Sequence, residues 1–326
     1  MVLATVVGLA VLYVAVLLGI NVIGNRLERP EAAEPVGSLD GRFDAQLVLQ
    51  AQGRIWNYRD GELTNILLIG TDWDEGRQVS EGSRYAGQAD FLLLLCMDRP
   101  NKMITPILID RDTLADVRIY GPFGDEAGTR CTQICLSYAF GDTPQHACEN
   151  TVWSVSELLG GIPIDGYMAL SMDGITALND ALGGVTVTLE DDFTHIDPEM
   201  KQGATITLHG NQAETFVRGR MNVGEGTNQS RMRRQSAFIE AASERMAQGM
   251  SEDMNYISNV LDAVSPWMTT DLNRGWLINR AYESQNCQRT DIRRIAGSHS
   301  VGEDGFIEFK ADEDALSDLL TSIFFE

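Results

Sequence analysis

The stretch "NILLIGTD" (65–72) decides the fold, because a short apolar run ends there in a threonine and an aspartate. Two further runs, "DFLLLLCM" (90–97) and "MITPILI" (103–109), are also apolar and bounded by polar turns. Such runs are typical of strands buried within a sheet. Helical patterns closed by glycines follow at 150–160 and 172–184. The sequence therefore predicts an α/β layered domain with a central mixed β-sheet flanked by helices.

The chain is predicted to have four regions. Residues 1–24 contain about 20 consecutive uncharged positions, enough to cross a hydrocarbon core as a transmembrane anchor. A cleaved signal peptide is the alternative, although a basic start and a small-residue cleavage site are not clear. Residues 25–60 are a polar juxtamembrane linker, and residues 61–250 form the main domain. Residues 251–326 form a C-terminal helical and strand extension, in which "DIRRIAG" and "GFIEFK" are a candidate strand pair.

The composition argues against several classes of function. The 326 residues include 25 Lys and Arg against 47 Asp and Glu, a formal net charge of −22. Nucleic-acid binding needs a basic surface, so neither DNA nor RNA is an expected partner. The four histidines lack the spacing of zinc ligands, and the sequence contains neither a P-loop nor a G-x-S-x-G nucleophile elbow.

Three of the five cysteines bracket a loop-like segment, "CTQICLSYAFGDTPQHAC", at positions 131–148. In an oxidising compartment one disulfide is expected in this segment, and Cys135–Cys148 is the preferred pair. Reduced, buried thiols are the alternative. Cys96 lies within an apolar run and is interpreted as a small buried hydrophobic residue.

Positive charge is concentrated in "FVRGRMNVGEGTNQSRMRRQ" (216–235), which holds five arginines in twenty positions. On a helix beginning at Asn228 or Ser230, Arg231, Arg234 and Gln235 share one face, whereas Arg233 points to solvent. Arg218 and Arg220 are two residues apart and project the same way on an extended chain. Guanidinium groups match phosphate oxygens in a bidentate manner, so the cluster predicts a phosphate or pyrophosphate ligand.

Carboxylates follow or precede the three predicted strands. Asp72 ends the first, Asp90 begins the second, and Asp110, Arg111 and Asp112 follow the third. Each has an ordinary structural explanation as a turn residue, a strand start or a local ion pair. Asp191 and Asp192 are interpreted as turn residues. Carboxylates at strand ends combined with several arginines suit pyrophosphate chemistry assisted by Mg²⁺.

The order of these motifs resembles that of the LytR-CpsA-Psr family of membrane-anchored envelope enzymes. The matching pieces lie between about residues 62 and 245, and include "NILLIGTD", "QADFLLLL", "ILIDRDT", "GNQAETFVRGR" and "NQSRMRRQ". The resemblance implies a phosphotransferase that moves a glycopolymer, such as teichoic acid or capsular polysaccharide, from polyprenyl pyrophosphate to peptidoglycan. It implies a single-pass protein of the cell membrane whose catalytic domain is extracytoplasmic.

The resemblance also assigns site residues, with Mg²⁺ as the cofactor. Metal binding falls to Asp72 and Asp90. Pyrophosphate binding falls to Arg111, Arg218, Arg220, Arg231 and Gln235. The catalytic set is Asp90, Arg111, Arg218 and Arg220, and Asp90 or Asp112 would accept the proton. An apolar tunnel for the lipid would lie beneath the arginines.

The chain departs from the family pattern at a few positions. Gln88 stands where an arginine is usual, Gln133 and Cys135 replace a lysine and an asparagine, and Asn228 replaces an aspartate. Each lost charged hydrogen bond would weaken phosphate binding by about 1.5–3 kcal/mol. A non-catalytic protein that binds polyprenyl phosphate is therefore the main alternative. Transcriptional regulation is the other, and the acidity and the absence of a basic helix-turn-helix oppose it.

Overall fold

The computed structural model describes residues 47–72, 87–121, 124–219, 223–226 and 228–326. No helix within these ranges is long and apolar enough to cross a membrane. The predicted anchor, residues 1–24, lies outside them, and so does the predicted site residue Arg220.

A mixed β-sheet forms the centre of the molecule, as predicted. Its central strands lie in the order β11 (Met268–Thr270), β8 (Gly166–Leu170), β3 (Leu63–Thr71), β4 (Ala89–Asp98) and β5 (Met103–Ile109). Two short strands, β12 (Gln288–Arg289) and β13 (Arg293–Arg294), follow one another along the free edge of β5. β8 runs parallel to β3, and β12 and β13 run parallel to β5, whereas the other neighbours are antiparallel. The strands are β1 Val48–Ala51, β2 Arg54–Asn57, β3 Leu63–Thr71, β4 Ala89–Asp98, β5 Met103–Ile109, β6 Leu114–Tyr120, β7 Glu126–Gln133, β8 Gly166–Leu170, β9 Val185–Thr188, β10 Thr205–Leu208, β11 Met268–Thr270, β12 Gln288–Arg289, β13 Arg293–Arg294, β14 Gly297–Val301 and β15 Ile307–Ala311.

The continuous apolar character of β3 and β4 has a simple cause, because both faces of the sheet are covered. Along β3, Ile66 and Leu68 point into one core cluster, and Leu67 and Ile69 point into the other. This alternation follows from the two-residue period of a strand. Every residue of β3 is buried, which explains why the run contains no polar position until its ends.

Helices cover the two faces of the sheet. Helices α2 (Met172–Ala181), α3 (Asn211–Arg218), α4 (Asn228–Glu252), α5 (Tyr256–Val264) and α6 (Arg274–Ser284) contribute to one core cluster. Helices α1 (Pro144–Leu158) and α7 (Glu313–Ile323) contribute to the other. The predicted helix at 150–160 begins earlier, at Pro144, because Thr143 caps it by accepting from the backbone N–H of His146. The helices are α1 Pro144–Leu158, α2 Met172–Ala181, α3 Asn211–Arg218, α4 Asn228–Glu252, α5 Tyr256–Val264, α6 Arg274–Ser284 and α7 Glu313–Ile323, together with the 3₁₀ helices Ile134–Phe140 and Ser265–Trp267.

Four antiparallel hairpins surround the sheet, namely β1–β2, β6–β7, β9–β10 and β14–β15. The first lies within the predicted linker, so part of 25–60 is folded. The predicted pairing of "DIRRIAG" with "GFIEFK" is wrong, because the strands in these two segments have other partners. β13 joins the central sheet through β5, and β15 pairs instead with β14. The region after residue 250 thus adds β11, β12 and β13 to the sheet that carries the site described next.

Candidate active site

The two predicted metal aspartates meet at one end of the sheet. The pairing of β3 with β4 shifts register between Gly70 and Thr71, so that Gly70 faces Phe91 and Thr71 faces Ala89. Asp90 is the additional residue of this irregularity. A β-bulge re-aims side chains and is common next to active sites. The backbone N–H of Gln88 donates to Asp72 Oδ1 at 2.5 Å. This hydrogen bond holds the carboxylate of Asp72, at the end of β3, beside the start of β4.

Arg111 lies against these carboxylates on the loop after β5. Its Nη1 donates to Asp90 Oδ1, and its Nη2 donates to Gln88 Oε1 at 2.6 Å. Nη2 also contacts Cys135 Sγ at 3.2 Å, and Nε lies 3.3 Å from Asp112 Oδ1. The guanidinium is therefore held in one orientation by groups from several separate parts of the chain. An ion pair of Arg111 with a neighbouring aspartate was one of the two interpretations that the sequence allowed, and the sequence gave no signal for the contacts with Gln88 and Cys135.

Burial dominates the electrostatics of Asp90. The residue is 3% exposed, and this burial raises its pKa to about 6, against the opposing effect of the Arg111 guanidinium. The charge of Asp72 raises the pKa further, and that of Arg231 lowers it. Asp72, Arg111 and Arg231 are thus all close enough to Asp90 to act on its charge. The four residues therefore lie in one region of the structure, and their binding and catalytic roles stay predictions.

Arg231 and Gln235 approach the same end of the sheet from α4. They are 1% and 2% exposed and lie one helical turn apart. Nε2 of Gln235 is buried and has no hydrogen-bond partner within the described part of the chain. A buried polar group without a partner is costly, and such groups are often satisfied by a ligand. The pair therefore has the placement that an anion-binding role requires.

Arg234 has a structural role, although it was predicted on the face of α4 that binds the anion. It is 2% exposed, and its Nε donates to the carbonyl of Phe216 at 3.1 Å. Its other nitrogens donate to the carbonyl of Gly219 and to Asp191. Arg234 therefore clamps the end of α3 against α4. Asp191, interpreted from the sequence as a turn residue, is the carboxylate of this clamp.

Asp191 also packs closely against Gly224, which lies between α3 and α4. Gly224 has a φ of +54°, and a Cβ at this position would overlap Asp191 Oδ1. Glycine is needed here both for the backbone conformation and for the close approach.

The other three arginines of the cluster differ in what the structure shows of them. Arg218 lies in the last turn of α3, where its Nη1 contacts Glu214 one turn back. Arg233 is 45% exposed in its side chain and lies near Glu190 and Glu225, as expected for a surface charge. Arg220 is outside the described residues, so its placement stays a prediction.

The predicted disulfide between Cys135 and Cys148 is absent, and both are free, buried thiols. Their surroundings differ, since the Cys135 sulfur lies against Arg111, whereas Cys148 lies on α1 and points into the core. Burial raises the pKa of Cys135 to about 12, so it remains a thiol near neutral pH. The alternative of reduced, buried cysteines is the one that the structure supports.

The residues present fit one divalent cation shared with a phosphate ligand. Asp90 Oδ2 is buried and has no hydrogen-bond partner among the described residues. Within those residues, no group of three or more His, Cys, Asp or Glu side chains could enclose a metal ion. Mg²⁺ is commonly held by one or two carboxylates and completed by substrate phosphates and water. Asp72 and Asp90 match that donor set.

Comparison with known proteins assigns the chain to a family. The LytR_cpsA_psr family matches residues 32–323, which is most of the sequence. The chain belongs to the LytR-CpsA-Psr family. The polyisoprenyl-teichoic acid–peptidoglycan teichoic acid transferase TagU of Halalkalibacterium halodurans is 30% identical over 239 residues, covering 73% of this chain and 69% of TagU.

Solved structures of other proteins share the fold. TagV of B. subtilis is 22% identical with a TM-score of 0.60, covering 80% of this chain and 96% of that chain. The structure "TagT bound to LIIa-WTA" is 20% identical with a TM-score of 0.59, covering 81% of this chain and 90% of that chain. At these identities the likeness concerns the fold alone, and it agrees with the mixed sheet described above.

The apolar core beneath the LytR-CpsA-Psr motifs is where the resemblance places the lipid tunnel. Phe193, Phe216 and Phe238 are fully buried on the same side of the sheet as α4. Two surface clefts, of about 440 and 310 Å³, are lined mainly by polar and charged residues such as Asp197 and Arg99 rather than by this core. The lipid tunnel that the resemblance implies stays a prediction.

Proposed function

We propose that this protein is a Mg²⁺-dependent transferase that moves a glycopolymer from a polyprenyl pyrophosphate carrier to peptidoglycan. The observation that carries the proposal is the convergence of Asp72, Asp90, Arg111 and Arg231 at one end of the sheet. The name of the TagU relative, a teichoic acid–peptidoglycan transferase, supports the same class of reaction. The apolar residues 1–24 would anchor the catalytic domain on the outer side of the cell membrane.

Positioning and charge stabilisation are the main requirements of phosphoryl transfer, and the site can supply both. Arg111 is already oriented by Asp90 and Gln88, so little reorganisation is needed when the pyrophosphate binds. Arg231 and Gln235 would hold the opposite side of the diphosphate from α4. Arg218 and Arg220 would complete the cation set from the end of α3. Bound Mg²⁺, held by Asp72 and Asp90, would offset the negative charge of the phosphates.

The reaction is a substitution at phosphorus. A hydroxyl oxygen of the acceptor sugar forms a bond to the sugar-proximal phosphorus, while the bond from this phosphorus to the bridging oxygen breaks. Polyprenyl phosphate leaves. Because Asp90 would be committed to the cation, Asp112 is the carboxylate available to accept the hydroxyl proton. Its Oδ1 lies 3.3 Å from Arg111 Nε, and it would therefore be close to a phosphate bound by that guanidinium.

The test uses the purified full-length chain in detergent with a synthetic glycosylated polyprenyl pyrophosphate, peptidoglycan fragments and Mg²⁺. We expect release of polyprenyl phosphate together with an acceptor that carries the glycan. Arg111→Ala should lower turnover by about 100-fold or more, because it removes an oriented cation from the transition state. Arg130→Ala is the matched control, since Arg130 is exposed on β7. Tight lipid binding without any turnover would instead identify a non-catalytic carrier protein.

A further inference from the structure

The C-terminal hairpin β14–β15 lies against the loop that carries Arg111. We refer to residues 110–113 as the arginine loop. A bridge between Thr113 and Phe309 joins the arginine loop to β15, although the two segments are far apart in sequence. The family resemblance gave this part of the chain no role, and the sequence contains no local signal for the contact.

A side-chain contact fixes the first residue of the arginine loop. His299 Nε2 lies 2.9 Å from Asp110 Oδ2, and the imidazole ring packs on Phe309 with the ring centres 4.9 Å apart. In the tautomer that carries its proton on Nε2, His299 donates to this oxygen. Asp110 is buried, and its Oδ1 accepts from the backbone N–H of Asp112 at 3.0 Å. His299 therefore satisfies one oxygen of a buried carboxylate whose other oxygen shapes the loop.

Two further contacts hold the other side of the loop. The backbone N–H of Phe309 donates to the carbonyl of Asp112 at 2.7 Å. Gln133 Nε2 donates to the carbonyl of Ile307 at 2.7 Å and lies 3.5 Å from Asp112 Oδ1. The hairpin thus contacts both chain neighbours of Arg111, namely Asp110 through His299 and Asp112 through the backbone of Phe309. Arg111 itself remains turned toward Asp90 and Gln88.

We propose that the β14–β15 hairpin positions Arg111 for catalysis and that His299 is its principal positioning residue. This inference rests on the proposed function, because it concerns how the catalytic arginine is aimed. Backbone shifts of the arginine loop would be passed directly to the guanidinium. Misplacement of a catalytic group by about 1 Å can cost roughly 100-fold in rate, so a small relaxation is sufficient for a measurable effect.

The experiment compares His299→Phe with His299→Gln in the full-length chain. Phenylalanine keeps the ring packing on Phe309 and removes the hydrogen bond, whereas the glutamine amide can donate from nearly the same place as Nε2. We expect His299→Phe to lower kcat by about fivefold to twentyfold with KM nearly unchanged, and His299→Gln to recover most of the loss. His195→Phe, at an exposed position outside the hairpin, is the matched control and should behave like the unmodified protein.

Hydrogen exchange gives a readout that does not depend on turnover. The amides of Asp112 and Phe309 should exchange faster in His299→Phe, while amides of α4 remain unchanged. Unchanged kcat and unchanged exchange would overturn the proposal. A loss of kcat that glutamine does not restore, with faster exchange across the whole domain, would also overturn it, because that pattern indicates general destabilisation. If the unmodified chain shows no turnover, the proposed function fails, and the exchange comparison alone decides the role of the hairpin.

Discussion

The two halves of the site are built in different ways. In the sheet half, one arginine is held by side chains from separate segments, since Arg111 contacts Gln88, Asp90 and Cys135. In the helical half, two arginines three residues apart on α4 are equally buried but face different groups. Arg234 donates its hydrogen bonds to backbone carbonyls and Asp191, whereas the charge of Arg231 lowers the pKa of Asp90.

This difference shows that burial alone does not mark an arginine as functional. A buried guanidinium needs partners wherever it lies, and carbonyl groups at the end of a helix serve as well as a phosphate. The environment of the charge separates the two cases. Arg234 stabilises the junction of α3 and α4, whereas Arg231 is near enough to Asp90 for its charge to lower the pKa of that carboxyl.

The largest expected effect is that of Asp90→Asn in the sheet half. The amide keeps the shape of the side chain but cannot hold a cation with the same strength. We expect turnover to fall by about 100- to 1,000-fold, because charge stabilisation at a buried site is lost. Stability should be unchanged or higher near neutral pH, since burial already disfavours the carboxylate form. Turnover of the lipid pyrophosphate and unfolding by urea are the two measurements.

Asp116→Asn serves as the matched control, because Asp116 is exposed on β6. It should change neither quantity. If Asp90→Asn kept full turnover, Asp90 would be a structural residue and the sheet half would not be the catalytic half.

The next effect tests the contrast within α4. Arg231→Gln should lower turnover by about 10- to 100-fold, because it removes a charged contact to the phosphate. Arg234→Gln should instead lower the free energy of unfolding by about 2–4 kcal/mol, because it leaves Asp191 and two carbonyls without their partner. Steady-state kinetics and urea unfolding of both variants measure the two losses separately.

Arg233→Gln is the control for both, since its side chain is exposed on the same helix. The contrast would be lost if Arg231→Gln and Arg234→Gln showed the same ratio of lost activity to lost stability. Equal ratios would mean that both arginines mainly hold α3 and α4 together.

Much of the fold could be predicted, because the apolar runs at 65–70, 90–97 and 103–109 are the central strands β3, β4 and β5. Their alternation between two cores explains why each run is continuous. The partner of β15 could not be predicted in the same way. Short exposed strands such as β13 and β14 have no buried face to fix their register, so the sequence pattern allowed either pairing.

The site was predictable in part. Strand ends located Asp72, Asp90 and Arg111, and helical spacing located Arg231 and Gln235. Spacing could not separate Arg231 from Arg234, because the carbonyls and the carboxylate that bind Arg234 belong to a distant segment. The contact of His299 with Asp110 spans 189 positions and has no counterpart in any local pattern.

The smallest expected effect is the pH dependence of stability that Asp90 produces in the absence of a divalent cation. Its pKa is about 6 in the folded chain and about 3.9 in the unfolded chain. Between these values the folded state binds a proton that the unfolded state has lost. The stability contributed by the protonated form is therefore fully present below about pH 4 and is lost as the pH rises through about 6.

Urea unfolding in EDTA measures this effect. As the pH rises across this window, the free energy of unfolding of Asp90→Asn should increase relative to that of the unmodified protein by on the order of 1–3 kcal/mol. Added Mg²⁺ favours the carboxylate form, so it should reduce the pH dependence of the unmodified protein and leave that of Asp90→Asn unaltered. If the difference in the free energy of unfolding between the two proteins stays constant from pH 4 to pH 7, the pKa of Asp90 is the same in the folded and unfolded chains. That result would mean that water reaches Asp90 in the folded protein.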